Sequence, residues 1–371
     1  MSVSLDNFVK ISIQKHLQTS VSSTRDTAVL IASDAIADSA IYSSYTFSSA
    51  NTIAADVLTG YALGTDWQPT STKITETNAT IKQYARIFFE NGGIKLVVVK
   101  TLTDVLTLPR NYIVIASTNT AFTPSSLAGT ATANTPFQKI VLAETKSDSA
   151  PTDKADGIVY KYVTALGTGA EMSIAAYYTK MRIYDSNASK DYNFTIETYT
   201  DPDALSSIIT DDNATVTSCI NNDLNCVTYL AGAYRDIGGN DSNGNDLTNL
   251  FMRIVLQQSL QDRLVNLLST KIKYDNRGIV AVNSAIANEL NRYLLNGYIS
   301  TTKIWTDDSL YMNNDLIIAQ NTPLTNGYII YIAPFSTLTT AELAAHTFPN
   351  IYIVYADAYS IRKIVVSGEA F

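Results

Sequence analysis

The residues of this 371-residue chain that could do chemistry are few. It has two histidines, His16 and His346, and two cysteines, Cys219 and Cys226. No H-E-x-x-H, G-x-S-x-G, Walker A or G-x-G-x-x-G pattern occurs, which removes the usual zinc, nucleophile and phosphate-cradle arrangements. Carboxylates pair at Asp201 and Asp203, Asp211 and Asp212, and Asp307 and Asp308. Each pair sits in a polar, turn-like context that predicts solvated loop, not a tuned acid and base. The run Gly238-Gly-Asn-Asp-Ser-Asn-Gly-Asn-Asp246 has the flavour of a calcium loop. Asp246 stands where an EF-hand needs glycine and Met252 where it needs the bidentate glutamate, so the expectation is an exposed turn. One close cysteine pair is neither a disulfide framework nor a four-ligand zinc site; reduced thiols are expected. The expectation is a protein that is not an enzyme and uses no cofactor and no metal.

Composition points the same way. There are 26 Lys+Arg against 34 Asp+Glu, a net charge of −8, with only 16% charged residues, where roughly 25% is ordinary. This argues against nucleic acid as a partner. Ser, Thr and Asn replace the missing charge, and Tyr outnumbers Phe 23 to 11. Such a polar, weakly charged surface suits a protein that meets many copies of itself. No stretch approaches the ~18 apolar residues of a spanning helix, so no membrane insertion is expected. The first residues lack the apolar core of a secretory signal, which predicts synthesis and retention in the cytoplasm.

The elements that must carry any function follow from periodicity. Residues 2–14 alternate, with Val3, Leu5, Val9, Ile11 and Ile13 on one face; this predicts a strand. Ala28–Ala32 is a second apolar run, and Thr52–Leu58 opens a short helical pattern. In the helix predicted over Thr77–Gly93, Ile81, Tyr84, Ala85 and Phe88 recur at i, i+3, i+4 and i+7, and Asn91-Gly-Gly stops it. The strand Ile94–Val99 follows. Further strands are expected at Tyr112–Ala116 and Lys139–Ala143, a helix near Glu171–Tyr178, and an exposed alternating strand at Tyr192–Tyr199. Two long helices are predicted next: Thr248–Lys273, with Phe251, Ile254, Val255, Leu260, Leu264, Leu267 and Leu268 inward, and a second carrying Ile279, Val282, Ile286, Leu290, Tyr293 and Leu294. Strands at 328–332, 351–355 and 361–366 flank a short helix at 340–345.

The strand-like segments near both ends must pair within their own domain or add to another chain's sheet. Self-pairing is the simpler alternative. Exchange with different neighbours would be a heterologous contact that generates rings or open helical arrays.

This order of segments resembles the tail sheath proteins of contractile bacteriophages. The resemblance is carried by Tyr84-Ala-Arg-Ile-Phe-Phe-Glu-Asn-Gly-Gly-Ile-Lys-Leu-Val-Val-Val-Lys100, the Gly-Gly loop after Tyr234, the helix pair over 248–297, and the closing strands from Ile351 to Val366. It implies an α+β, tail-sheath-like fold with an inner α/β domain at 225–359 and an outer mixed α/β insertion domain at 20–224. Strand arms at 1–19 and 360–371 would be exchanged with neighbours; Val3, Leu5, Val9, Ile11, Ile13, Ile361, Ile364, Val365 and Val366 would carry them. The implied function is a structural subunit that polymerises helically with itself around a tail tube and contracts to drive it through the host envelope. The tube protein, baseplate and tail terminator are the implied partners. The implied location is the virion tail sheath, assembled in the host cytoplasm. Lys271, Lys273 and Arg277, between the two long helices, are the candidate tube contact; a helix C-terminus whose dipole favours positive charge is the alternative. The chief rival, a β-rich virion or cell-surface adhesion protein, would normally show a signal peptide, a repeat or a trimeric coiled coil. An unrecognised enzyme is the other.

Overall fold

The computed structural model describes residues 27–32, 36, 38–48, 52–107, 114–128, 139–181, 192–270, 272–312 and 315–358. The predicted strands at 2–14 and 361–366, with Val3, Leu5, Val9, Ile11, Ile13, Ile361, Ile364, Val365 and Val366, lie outside these residues, as do Lys271 and His16.

Continuous apolar runs too short for helices become the centre of a sheet, where β1, β5 and β6 are buried on both faces. The strands are β1 (Thr27–Ile31), β2 (Ala40–Thr46), β3 (Val57–Leu63), β4 (Pro69–Glu76), β5 (Lys95–Val99), β6 (Val114–Ser117), β7 (Ile140–Thr145) and β8 (Ile158–Tyr162). Their order is β4-β3-β2-β5-β1-β6-β7-β8. The five from β5 to β8 are parallel, and β2, β3 and β4 add an antiparallel wing. Side chains alternate between two cores. Leu30, Leu96, Val98 and Leu142 face one, with helices α1 (Ala79–Glu90) and α4 (Met172–Lys180). Val29, Ile31, Val97 and Val141 face the other, with α2 (Leu102–Thr107) and α3 (Ser125–Ala128).

Helix α1 starts where Asn78 accepts the Ile81 amide at 3.1 Å and stops at Asn91, followed by Gly92 at φ +84°. A side chain at Gly93 would fall within 2.3 Å of the Phe88 ring, so the turn into β5 requires glycine there.

After α4 come α5 (Pro202–Ile208), α6 (Asn213–Asn221) and the hairpin β9 (Cys226–Leu230) and β10 (Ala233–Ile237). Helices α7 (Leu247–Ser269) and α8 (Asn276–Leu295) form a pair, joined to the first core through Leu250, Ile254, Leu260, Ile286 and Leu290. Strands β11 (Leu310–Met312) and β12 (Asp315–Ile318) precede β13 (Tyr328–Ile332), α9 (Thr340–Ala344) and β14 (Ile351–Tyr355).

Four expectations fail. Thr52–Leu58 is a turn leading into β3, because Ala54 and Ala55 have no apolar face to join and are exposed. Tyr192–Tyr199 is irregular and turned inside out: Phe194 (φ +62°) and Ile196 are exposed while Glu197 is buried. The 238–246 loop is not simply exposed. Asp241 and Ser242 are wholly buried, and the Asp241 carboxylate accepts the amides of Gly157, Asn243 and Asn245 at 2.9–3.0 Å. Leu268, on the last turn of α7, points to solvent.

Candidate assembly interface

Asp246 caps α7, accepting the Asn249 amide at 2.8 Å, and Asp275 caps α8 through the Arg277 amide at 2.8 Å. Gly278 lets the turn between the helices close, since a Cβ there would meet the Lys273 carbonyl at 2.0 Å. Of the candidate tube contacts, Lys273 and Arg277 are exposed at this turn. Arg277 belongs to the first turn of α8, so helix C-terminal dipole stabilisation does not explain it. Its guanidinium donates to Asp275 at 2.5 Å. The carboxylate pairs are structural or solvated: Asp212 caps α6, and Asp211, Asp307 and Asp308 are exposed.

Packed on α8, β13 and β14 form a two-stranded sheet in the register Ile330↔Ile353. Tyr328, Ile330, Ile332, Ile351, Ile353 and Tyr355 turn to the helix core, and Ile329 and Val354 to a small cluster with Trp305, Leu310 and Leu324. Both faces of the hairpin are covered, leaving its edges. The Ala333 amide donates to Asn350 O at 2.9 Å and the Ala356 amide to Gly327 O at 3.0 Å. By antiparallel alternation Ile351 and Ile353 therefore aim their N–H and C=O away from β13, and Ile330 and Ile332 away from β14. Beyond Tyr355 the edge is met by residues 298–300; among the described residues no third strand joins β13 or β14.

Two buried ion clusters, which periodicity did not reveal, tie the large sheet to α4 and β10 and hold α1 in place. Lys161, wholly buried on β8, donates to both Glu197 oxygens at 2.7 Å, to Asp236 of β10 at 2.8 Å and to Ser173 of α4 at 2.8 Å. Tyr192 and Tyr199 donate to Glu197. Burial pulls the ammonium down, but Asp236 and Glu197 hold it above the ordinary lysine value. Arg86 of α1 meets Asp56 at 2.7 Å, Glu90 at 2.8 Å and Thr200 at 2.6 Å. The available signal was a lone charge inside an apolar strand, Ile158-Val-Tyr-Lys161-Tyr.

Residues 248–370 match the family model "E217 tail sheath protein gp31-like, C-terminal domain". Over that third of the chain the sequence is similar to the C-terminal domain of a tail sheath protein. The match begins at α7 and takes in the helix pair and hairpin. The sheath fold extends over the whole chain. It aligns with a subunit of the sheath complex of an extracellular contractile injection system, PVC, in the contracted state, at TM-score 0.60 and 10% identity, covering 97% of this chain and 96% of that one. Sequence comparison with curated proteins gives no match. Among the described residues, no group of three or more His, Cys, Asp or Glu could hold a metal, and no helix is long and apolar enough to cross a membrane.

Asp236 gives the sheath fold a pH dependence. Burial, against the pull of Lys161 and with the added charge of Glu197, pushes its carboxyl from 3.8 up to about 7. The folded chain holds a proton over this interval that the unfolded chain releases. Its contribution is therefore fully present below about pH 4 and lost as pH rises through about 7. Urea midpoints should fall between pH 5 and pH 8, and Asp236→Asn should flatten the fall; an unchanged slope contradicts the assignment.

Proposed function

We propose that this chain is the repeating subunit of a contractile sheath that polymerises helically around a tail tube. The carrying observation is the β13–β14 hairpin, whose faces are covered and whose edges, at Ile351, Ile353, Ile330 and Ile332, meet no further strand among the described residues. Such an edge must be protected or paired, and the alternating segment 2–14 and the strand-like segment 360–368 are candidates to pair with it. Arms from neighbouring subunits add there as strands, so main-chain hydrogen bonds keep the array connected while contacts between globular bodies change. Residues 225–359 form the tube-facing part and 20–224 the outer part. Lys273 and Arg277, with Lys271, offer positive charge to the tube at the α7–α8 turn. Contraction to a shorter, wider array, signalled by a baseplate and bounded by a terminator, draws on subunit contacts and needs no nucleotide. The particle, a phage tail or a related injection device, is assembled in the producing cell's cytoplasm and acts on an envelope.

Sedimentation velocity on the full-length chain tests the polymer. The reading expects large assemblies that grow with concentration; a monomer at every concentration overturns it.

A further inference from the structure

Cys219 lies in the last turn of α6, and Cys226 opens β9. Both side chains are wholly buried in a small cluster with Ile158, Leu224 and Ile237, separate from the main core. The chain reverses sharply between them: the Leu224 amide donates to the Cys219 carbonyl at 2.9 Å, and Asp223 takes φ +58°. This turn brings the two side chains together, and their thiols hydrogen-bond to each other. They are the only cysteines in the sequence, and both are free.

We propose that Cys219 and Cys226 are a redox pair, reduced as the chain is made and closed to an intrachain disulfide by a small-molecule disulfide in an oxidising medium, fastening α6 to β9. Thiols are kept reduced inside most cells and oxidise outside them. A lone buried cysteine packed against carbon is inert, whereas two thiols in hydrogen-bond contact already hold their sulfurs side by side. The two are unequal. The Cys226 S–H stabilises a thiolate on Cys219 and holds Cys219 below the ordinary thiol value, while that bond and then burial push Cys226 up. Cys219 is therefore the nucleophile.

Access comes through α6. Cys219 is the one buried residue of this helix, and Ser218 and Asn222 tie it to the Asp148 carbonyl at 2.9 Å. So lightly held an element opens locally while the rest of the fold stays intact. On opening, Cys219 gives its proton to buffer, and its Sγ attacks the small disulfide, forming a mixed disulfide and releasing one thiolate. Reclosure brings up Cys226, whose deprotonated Sγ attacks Cys219 Sγ and displaces the second thiolate. The chain loses two hydrogens and two electrons, and the small disulfide becomes two thiols. The new bond then opposes the opening that let it form.

Incubating the folded full-length chain with glutathione disulfide, quenching in acid and measuring intact mass tests this. The mass should fall by two hydrogens, both thiols should be lost to labelling after unfolding, and the chain should run as a monomer on a non-reducing denaturing gel. Dithiothreitol should reverse all three. Hydrogen exchange over 213–222 should slow about tenfold in the oxidised chain. Cys226→Ser should stop at the mixed disulfide, and Cys219→Ser should react about tenfold more slowly than Cys226→Ser. The wild-type readings decide the matter even if a variant folds poorly. Unreacted thiols, a lasting glutathione adduct or a linked dimer overturns the proposal, and closure without slower exchange overturns the fastening of α6.

Discussion

Lys161→Met should destabilise the folded chain by about 3–5 kcal/mol, the usual cost of removing one partner from a buried ion pair. The ammonium is wholly buried and touches Glu197, Asp236 and Ser173 within 2.8 Å. Without it, two carboxylates confront each other with no counter-charge, and Asp236 Oδ1 already lacks a donor. The variant relieves itself only by taking up protons, so the loss should be larger at pH 8 than at pH 5. Adding Glu197→Gln and Asp236→Asn to Lys161→Met should restore part of the stability, because neutral amides cost far less to bury unpaired than charges do. Urea denaturation of the three proteins at both pH values measures this; equal losses at the two values would contradict the role given to the cluster. The same residues join β8, α4 and β10, so loss of the cluster should loosen the junction between the large sheet and the β9–β10 hairpin.

Ile351→Pro should abolish assembly while leaving the subunit folded. Ile351 opens β14, and its amide points away from β13, so proline there removes no internal ladder bond and sits where edge strands tolerate it. It does remove a donor that an added strand would use, and its ring blocks close approach. Circular dichroism and melting should show the wild-type fold, while light scattering should show polymer lost. Ile351→Val, which keeps the amide, should assemble normally. Polymer formation by the proline variant at wild-type concentrations would rule out β14 as the acceptor edge.

Much of this architecture is legible in the sequence where one physical signal dominates. The Ile81, Tyr84, Ala85, Phe88 spacing and the Asn91-Gly-Gly stop define α1, found at Ala79–Glu90. The long helices predicted over Thr248–Lys273 and from Ile279 appear as α7 and α8. The short helix at 340–345 carries a capping box at Thr339 and Glu342. Legibility fails where charge goes inward. The alternation at Tyr192–Tyr199 predicts an exposed strand, but Lys161 needs a buried counter-ion, and Glu197 turns inward to meet it while Phe194 and Ile196 stay exposed. Asp241 inverts the reading of its loop similarly, because its carboxylate turns inward to accept three amides, that of buried Gly157 among them. Long-range ion pairs leave no local period, and Arg86 finds Asp56 across 30 residues of chain.

For the interface the sequence supplied donors without acceptors. Alternation marks 2–14, and an apolar run marks 361–366, as strands in search of a sheet, but which edge could receive them depends on the β13–β14 register and on what covers each face. Both are tertiary properties.

The most direct measurement of the central claim is negative-stain electron microscopy of the full-length chain beside a variant lacking residues 1–14, at matched concentration. The strand-exchange account predicts long hollow tubes from the full-length protein and none from the shortened one. Tubes of equal length and number from both, or monodisperse particles from both, would contradict it.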